Sequence, residues 1–166
     1  MLAKKEETSQ WSYLNAQQML ELVQNLGFTA KHIVITGGEP CMYDLTELCE
    51  TFEQVGFSTQ VETSGTFAIS VSDKCWVTVS PKLNMKGGYK ILPSAMQRAN
   101  EIKHPVATSQ HVDDLTGLLA LHQITTTPVY LQPISQKTRA TELAIETCIK
   151  HNWRLSIQVH KYIGIE

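Results

Sequence analysis

The chain has 166 residues, a formal net charge of −2 and a charged fraction of 18%. That length suits one domain with a buried core, and that charge gives no electrostatic case for nucleic acid or an anionic membrane surface as a partner. No apolar run approaches a membrane span, and Met1-Leu2-Ala3-Lys4-Lys5-Glu6-Glu7 lacks the apolar centre of a signal peptide, so a cytoplasmic protein is expected.

The first 14 residues are expected to be poorly ordered. Asn15, with Gln18 three positions on, forms a capping box that opens a helix. Met19, Leu20, Leu22, Val23 and Leu26 give it a broad apolar face, read as core, and Gly27 stops it. Ile33–Thr36 reads as a buried strand that runs straight into Gly37-Gly38-Glu39-Pro40. With no Cβ at the two glycines, a ligand can lie against the main chain there. Glu39 beside exposed backbone N–H and C=O groups suits a ligand with an ammonium group, such as an amino acid. A tight turn between strand and helix accounts for the same residues equally well.

Asp44 and Glu47 spell a second capping box, with Leu45, Leu48, Phe52 and Val55 as the buried stripe and Gly56 as the stop. Phe57–Glu62 alternates as a strand and closes on Thr63-Ser64-Gly65. Trp76–Val79 is another strand, stopping at Ser80-Pro81-Lys82, and Leu83–Tyr89 is a loop. Pro93 in a first turn starts a helix that runs to about Lys103. A short strand at His104–Ala107 follows, then a helix over Val112–His122. Pro128–Leu131 is a strand ending on Gln132-Pro133-Ile134-Ser135. Thr138 to about His151 is a helix with Asn152 as its left-handed terminator. Trp153–Val159 is the last strand, ending on His160-Lys161.

Strand and helix alternate with no hairpin dipeptide, so the expected class is α/β with a parallel sheet, in one domain over residues 1–166. In such a sheet all carboxyl ends lie on one side, where ligands bind in barrels and open α/β folds alike. Thr36, Gly37, Gly38, Glu39, Glu62, Ser80, Pro81, Lys82, Gln132 and Ser135 should therefore meet at one rim, with His160-Lys161 as a weaker fifth cluster. Their mixed chemistry suits a zwitterionic or heterocyclic ligand better than a bare phosphate. Neither the Walker pattern nor the dinucleotide fingerprint is present. Duller roles compete: Glu62 paired with Lys82, Lys82 as a solvated loop lysine, Gln132 satisfying a strand end. The four cysteines, Cys41, Cys49, Cys75 and Cys148, match no metal-site spacing and are expected to be reduced and mostly buried; Cys41, beside the glycine loop, is the exception to watch.

The chain resembles the radical S-adenosylmethionine enzymes in Gly37-Gly38-Glu39-Pro40. More narrowly it resembles the 7-carboxy-7-deazaguanine synthases in Val34–Cys41, Val61–Thr66, Trp76–Met85, Ala99–Val106, Leu131–Gln136, Glu146–Ile149, Asn152–Ser156 and His160–Tyr162. That resemblance implies a partial (β/α) barrel, a homodimer and an electron donor such as flavodoxin. It implies conversion of 6-carboxytetrahydropterin to 7-carboxy-7-deazaguanine with loss of ammonia, using S-adenosylmethionine, a [4Fe–4S] cluster and magnesium. By position it assigns Gly37, Gly38, Glu39, Glu62, Ser80, Pro81 and Lys82 to S-adenosylmethionine. Thr36, Gln132, Pro133, Ile134 and Ser135 would hold the pterin-like substrate. The family's C-x3-C-x2-C triplet for the cluster does not occur in this chain. Relative to the family, the expectation is therefore an N-terminally truncated barrel that is inactive alone, with a non-catalytic cofactor-binding, pterin-binding or protein-interaction remnant as the alternative.

Overall fold

The computed structural model describes residues 12–83, 89–134 and 137–164. In chain order the elements are α1 (Ala16–Asn25), β1 (His32–Ile35), a 3₁₀ turn (Pro40–Met42), α2 (Thr46–Gln54), β2 (Ser58–Thr63), β3 (Trp76–Val79), α3 (Pro93–Arg98), β4 (Glu101–Val106), α4 (Ser109–Leu121), β5 (Val129–Pro133), α5 (Thr138–His151), β6 (Arg154–Leu155) and α6 (Val159–Tyr162). The strands form one sheet in the order β1-β2-β3-β4-β5-β6, and every neighbouring pair is parallel. Strands added one after another in sequence, each parallel to the last, make an open (β/α) barrel rather than a doubly wound sheet, whose order reverses midway.

The two faces of this sheet differ sharply. Val61, Val77, Val79, Ile102, Val106 and Leu131 alternate onto the helix-covered face and are fully buried. Met96 of α3 and Leu115 of α4 close over them, also fully buried. Each such side chain removed from water contributes about 1.5–3 kcal/mol. α5 follows from the same rule: Ala140, Ala144, Thr147 and Cys148 recur at helical spacing, and these are its buried residues. A smaller cluster of Leu20, Phe52 and Phe57 pins α1 to α2, with the two rings edge-to-face at 5.4 Å. The other, concave face of the sheet carries polar side chains.

Local signals held where the chain itself supplies the partner. Asn15 and Gln18 form both halves of the capping box, and Gly27 follows α1 at φ 71°. Asn152 ends α5 in the left-handed region. Other expectations are corrected. Asp44 and Glu47 make no capping box: Asp44 Oδ1 accepts from the Thr46 N–H at 2.9 Å, and α2 starts after Leu45 without a side-chain cap. Of the apolar face read onto α1, only Leu20 is buried, while Met19, Leu22 and Leu26 are exposed; Val55 of α2 is exposed as well. α3 ends at Arg98 instead of reaching Lys103. The Asn100 carboxamide accepts from the Val77 N–H and from Arg98, which draws the chain into pairing beside β3. β4 therefore begins at Glu101 and is a full six-residue strand. The last strand is only Arg154–Leu155. Ser156 N donates the final ladder bond to Leu131 O, and the chain then turns into α6, so His160 and Lys161 lie on a short helix rather than at a strand end.

Candidate functional site

At the carboxyl side of the parallel sheet, the ends of β1, β2 and β3 are tied together by side chains and backbone, and the end of β4 is tied to that of β5. Glu39, in the loop after β1, accepts from Thr63 Oγ1 at 2.6 Å, from the Ser64 N–H at 2.8 Å, from the Ser64 hydroxyl and from the Cys41 N–H at 3.1 Å. A carboxylate offers about four acceptor positions, so Glu39 is saturated by the ends of its own loop and of β2. Burial pushes its pKa up, but the bonds from Ser64, Thr63 and Cys41 outweigh that and hold it below the usual carboxylate value. The Ser80 N–H donates to Thr63 O at 2.7 Å, and Ile134 N donates to Val106 O at 2.9 Å. Five strand ends thus form one rim.

Gly37 sits at φ 134°, a conformation that requires glycine. Gly38 is different. Its φ is not in the left-handed region, and a Cβ built there would meet nothing within 4 Å. Space lies open against its backbone.

Along the concave face, Glu62 of β2 pairs with Lys103 of β4 at 2.5 Å, so its partner is not Lys82. Lower on the same face a hydrogen-bond chain crosses four strands: His32 to Gln60 at 3.0 Å, Gln60 to Thr78 at 2.9 Å, Thr78 to Glu101 at 2.8 Å. Lys103 and Glu101 were not singled out from sequence. Their i, i+2 spacing places both on one face of a strand, and this signal emerges only when β4 starts at Glu101 rather than His104. Gln132 of β5 lies on the same face, opposite Pro105. Among the described residues, the side chains of Thr36, Ser80, Lys82 and Gln132 have no hydrogen-bond or ion-pair partner. Glu39 is saturated, while Glu62 pairs with Lys103 through one oxygen only, so the polar groups left for a ligand are the neutral ones, Lys82 and the second oxygen of Glu62.

Beside this rim lies a cavity of about 410 Å³ lined by Pro81, Lys82, Leu83 and Ile134, together with His104, Pro105, His111 and Asp114. It unites Pro81 and Lys82 with Ile134, and adds two histidines that the sequence reading passed over. Pro133 is buried at the end of β5, and Ser135 lies outside the described residues.

All four cysteines are free and buried. Burial pushes the Cys41 thiol up, and the nearby Glu39 carboxylate adds to it, so Cys41 is a packed side chain and not a reactive thiolate. An iron–sulfur cluster needs three converging thiolates. Cys41 is on the 3₁₀ turn, Cys49 on α2, Cys75 before β3 and Cys148 on α5, and no group of three or more metal-ligating side chains converges among the described residues. The residues present do not fit a cluster.

A sequentially ordered parallel sheet, helices on its outer face and a polar rim at its carboxyl ends define a partial (β/α) barrel of the enzyme type. No family model matches the chain. It is 51% identical over 166 residues to a 7-carboxy-7-deazaguanine synthase from Escherichia coli (strain K12), covering 99% of this chain and 74% of that one. It is 42% identical over 170 residues to the synthase of the same name from Buchnera aphidicola, with the same coverage. Its structure resembles the crystal structure of QueE from Escherichia coli with a TM-score of 0.85, over 95% of this chain and 69% of that chain. The chain belongs to the 7-carboxy-7-deazaguanine synthase family.

Proposed function

We propose that the rim binds S-adenosylmethionine beside a pterin-type substrate, as the binding half of a radical lyase reaction that yields 7-carboxy-7-deazaguanine in queuosine biosynthesis. The observation that carries this is the set of polar groups left unpaired at one rim: Thr36, Ser80, Lys82 and Gln132, next to open backbone at Gly38. The amino-acid end of S-adenosylmethionine lies along Gly37 and Gly38, where Glu39 holds the loop in shape through Ser64 and Thr63. Ser80, Pro81 and Lys82 hold the same molecule from the end of β3, and Glu62 meets its ribose while Lys103 fixes the carboxylate's direction. Thr36 and Gln132, with Pro133, Ile134 and Ser135, take the substrate. An amide and a hydroxyl suit a heterocycle edge, because a mismatched edge leaves them unpaired. S-adenosylmethionine would supply the hydrogen-abstracting group only where a one-electron reductant cleaves it; the chain's own residues bind, orient and exclude water.

The reading is tested by titrating the protein with S-adenosylmethionine in a calorimeter. Gly38→Ala is expected to leave the melting temperature unchanged and to weaken binding at least tenfold, because the added methyl fills only the open space. Gln132→Ala is expected to spare S-adenosylmethionine and weaken a pterin ligand. Unaltered binding in Gly38→Ala and in a Lys82→Ala protein would overturn the assignment.

The separation of the cysteines supports a second reading, in which this chain binds its ligands without turnover. Anaerobic reconstitution with iron and sulfide then gives no stoichiometric cluster. A homodimer, magnesium, a flavodoxin-type electron donor and a cytoplasmic location belong to the family-level proposal. Among the described residues no helix is long and apolar enough to cross a membrane.

A further inference from the structure

Two of the buried thiols meet each other, away from the rim. We propose that Cys49 and Cys75 are a reversible dithiol–disulfide pair, oxidised by hydrogen peroxide. Leu45, Cys49 and Glu53 recur every four residues and so share one face of α2. That face is held against the loop that leads into β3. Leu45 N donates to Ser70 O at 2.9 Å, and the Ser72 hydroxyl donates to Glu53 at 2.6 Å. Glu53 also accepts from Thr59 of β2 at 2.5 Å. From α3, Arg98 Nη2 donates to Cys75 O at 2.9 Å. Among these fixed points Cys49, fully buried, and Cys75, 1% exposed, are hydrogen-bonded to each other.

The surroundings give the two sulfurs different tasks. The hydrogen bond with Cys49, helped by Thr59 and the Arg98 guanidinium, pulls the Cys75 thiol down against burial and the charge of Glu53. The same bond, together with burial, pushes the Cys49 thiol up. Cys75 is therefore the sulfur that attacks first, and Cys49 the one that follows. The Cys75 sulfur takes one peroxide oxygen, the O–O bond breaks, and a water leaves with the Cys75 proton. The Cys49 sulfur then attacks the Cys75 sulfur, the S–O bond breaks, and a second water leaves with the Cys49 proton. The thiols lose two electrons and the peroxide gains them, so one peroxide gives one disulfide and two waters. A cavity of about 330 Å³ lined by Glu50, Glu53, Gln54, Ser72, Asp73 and Lys74 lies beside this loop. Cys75 N donates to Ser72 O and to the Ser72 hydroxyl, so the turn that lines the cavity is the one that covers the thiol. Peroxide reaches the sulfur when that turn opens.

This inference goes beyond the rim reading and stands apart from it, since Cys75 precedes β3 at the end of the strand opposite Ser80. The test treats the full chain with hydrogen peroxide well below its thermal midpoint and maps the peptides by mass spectrometry. A Cys49–Cys75 cross-link that dithiothreitol reverses is expected, with Cys41 and Cys148 still thiols. Ser72→Ala, which frees the turn from Glu53, is expected to form the same cross-link several-fold faster. In Cys49→Ser the reaction is expected to stop at the Cys75 sulfenic acid, captured by dimedone, and in Cys75→Ser the Cys49 thiol is expected to stay unreacted. Absence of the cross-link from both the parent and Ser72→Ala overturns the inference. So do cross-links to Cys41 or Cys148 in equal amount, the mark of an unfolded chain, and a Cys75→Ser protein whose Cys49 oxidises as fast as the parent's. Should either cysteine variant not fold, the cross-link in the parent and in Ser72→Ala decides.

Discussion

Glu39 is the residue on which the glycine loop depends. Replacing it by Gln puts an amide N–H against the Ser64 N–H and hydroxyl, so Glu39→Gln is expected to cost about 2–3 kcal/mol in denaturant unfolding at neutral pH. Its carboxyl is held below the ordinary value of 4.5 by hydrogen bonds that overcome burial. The unfolded chain therefore takes up this proton first on acidification. The stability Glu39 contributes is complete above about pH 4.5 and fades as pH falls through its lowered folded value. The gap between parent and Glu39→Gln should narrow in that acid range. His104 works the other way in charge but in the same direction in pH. Burial, with His111 and Lys82 nearby, depresses it from 6.5 to about 4, against smaller opposing effects of Pro81 and Asp114. Between those values the unfolded chain is protonated and the folded chain is not. Stability is expected to fall as pH drops from 6.5 towards 4, with a slope of up to about 1.4 kcal/mol per pH unit. His104→Phe should remove that slope, as measured by chemical denaturation at a series of pH values.

At the scale of elements, helix ends were the most legible features. Asn15 and Gln18 satisfy each other's backbone N–H groups within four residues, so nothing distant is needed. Asn15→Ala is expected to cost about 1 kcal/mol, measured as a shift in the thermal midpoint. Asn152, at φ 54° and ψ 38°, stands where glycine is preferred. Asn152→Gly should be neutral or stabilising and Asn152→Ala destabilising by about 1 kcal/mol. α3 and β4 illustrate the opposite case. Pro93 did start a helix, but its end was decided 23 residues away in sequence, by the bond between the Asn100 side chain and the Val77 N–H. No local pattern carries that information. The six residues of β4 emerge only with β3 and β5 on either side, and with them Glu101 and Lys103 come onto the concave face.

For the whole molecule, the sheet's two faces divide apolar from polar side chains. The helix-covered face holds the apolar residues, and Leu131, fully buried in β5 between β4 and β6, is central to it. Leu131→Ala is expected to cost about 2–5 kcal/mol in denaturant unfolding, because packed neighbours refill such a space only in part. The concave face and the carboxyl rim hold the polar residues, and two of their carboxylates are already committed, Glu39 to Ser64 and Glu62 to Lys103. The groups without an internal partner at this rim, among the described residues, are the neutral ones, Lys82 and the second oxygen of Glu62.

The amino-acid sequence by itself determined the class of fold. Alternation of strand and helix, the glycine loop after Ile35, and polar residues after each strand are local patterns, and a parallel sheet converts them into one rim without further information. It also marked the ends of β1, β2, β3 and β5, since a strand's end is marked by its own neighbours, but not His160 and Lys161, which lie on α6, and Ser135 lies outside the described residues. Partners were decided only by the tertiary structure. Glu62 meets Lys103 rather than Lys82, Glu39 turns inward to Ser64, and His104 and His111 share a cavity, because the strand register and the packing of α4 bring together groups whose sequence separation carries no trace of contact.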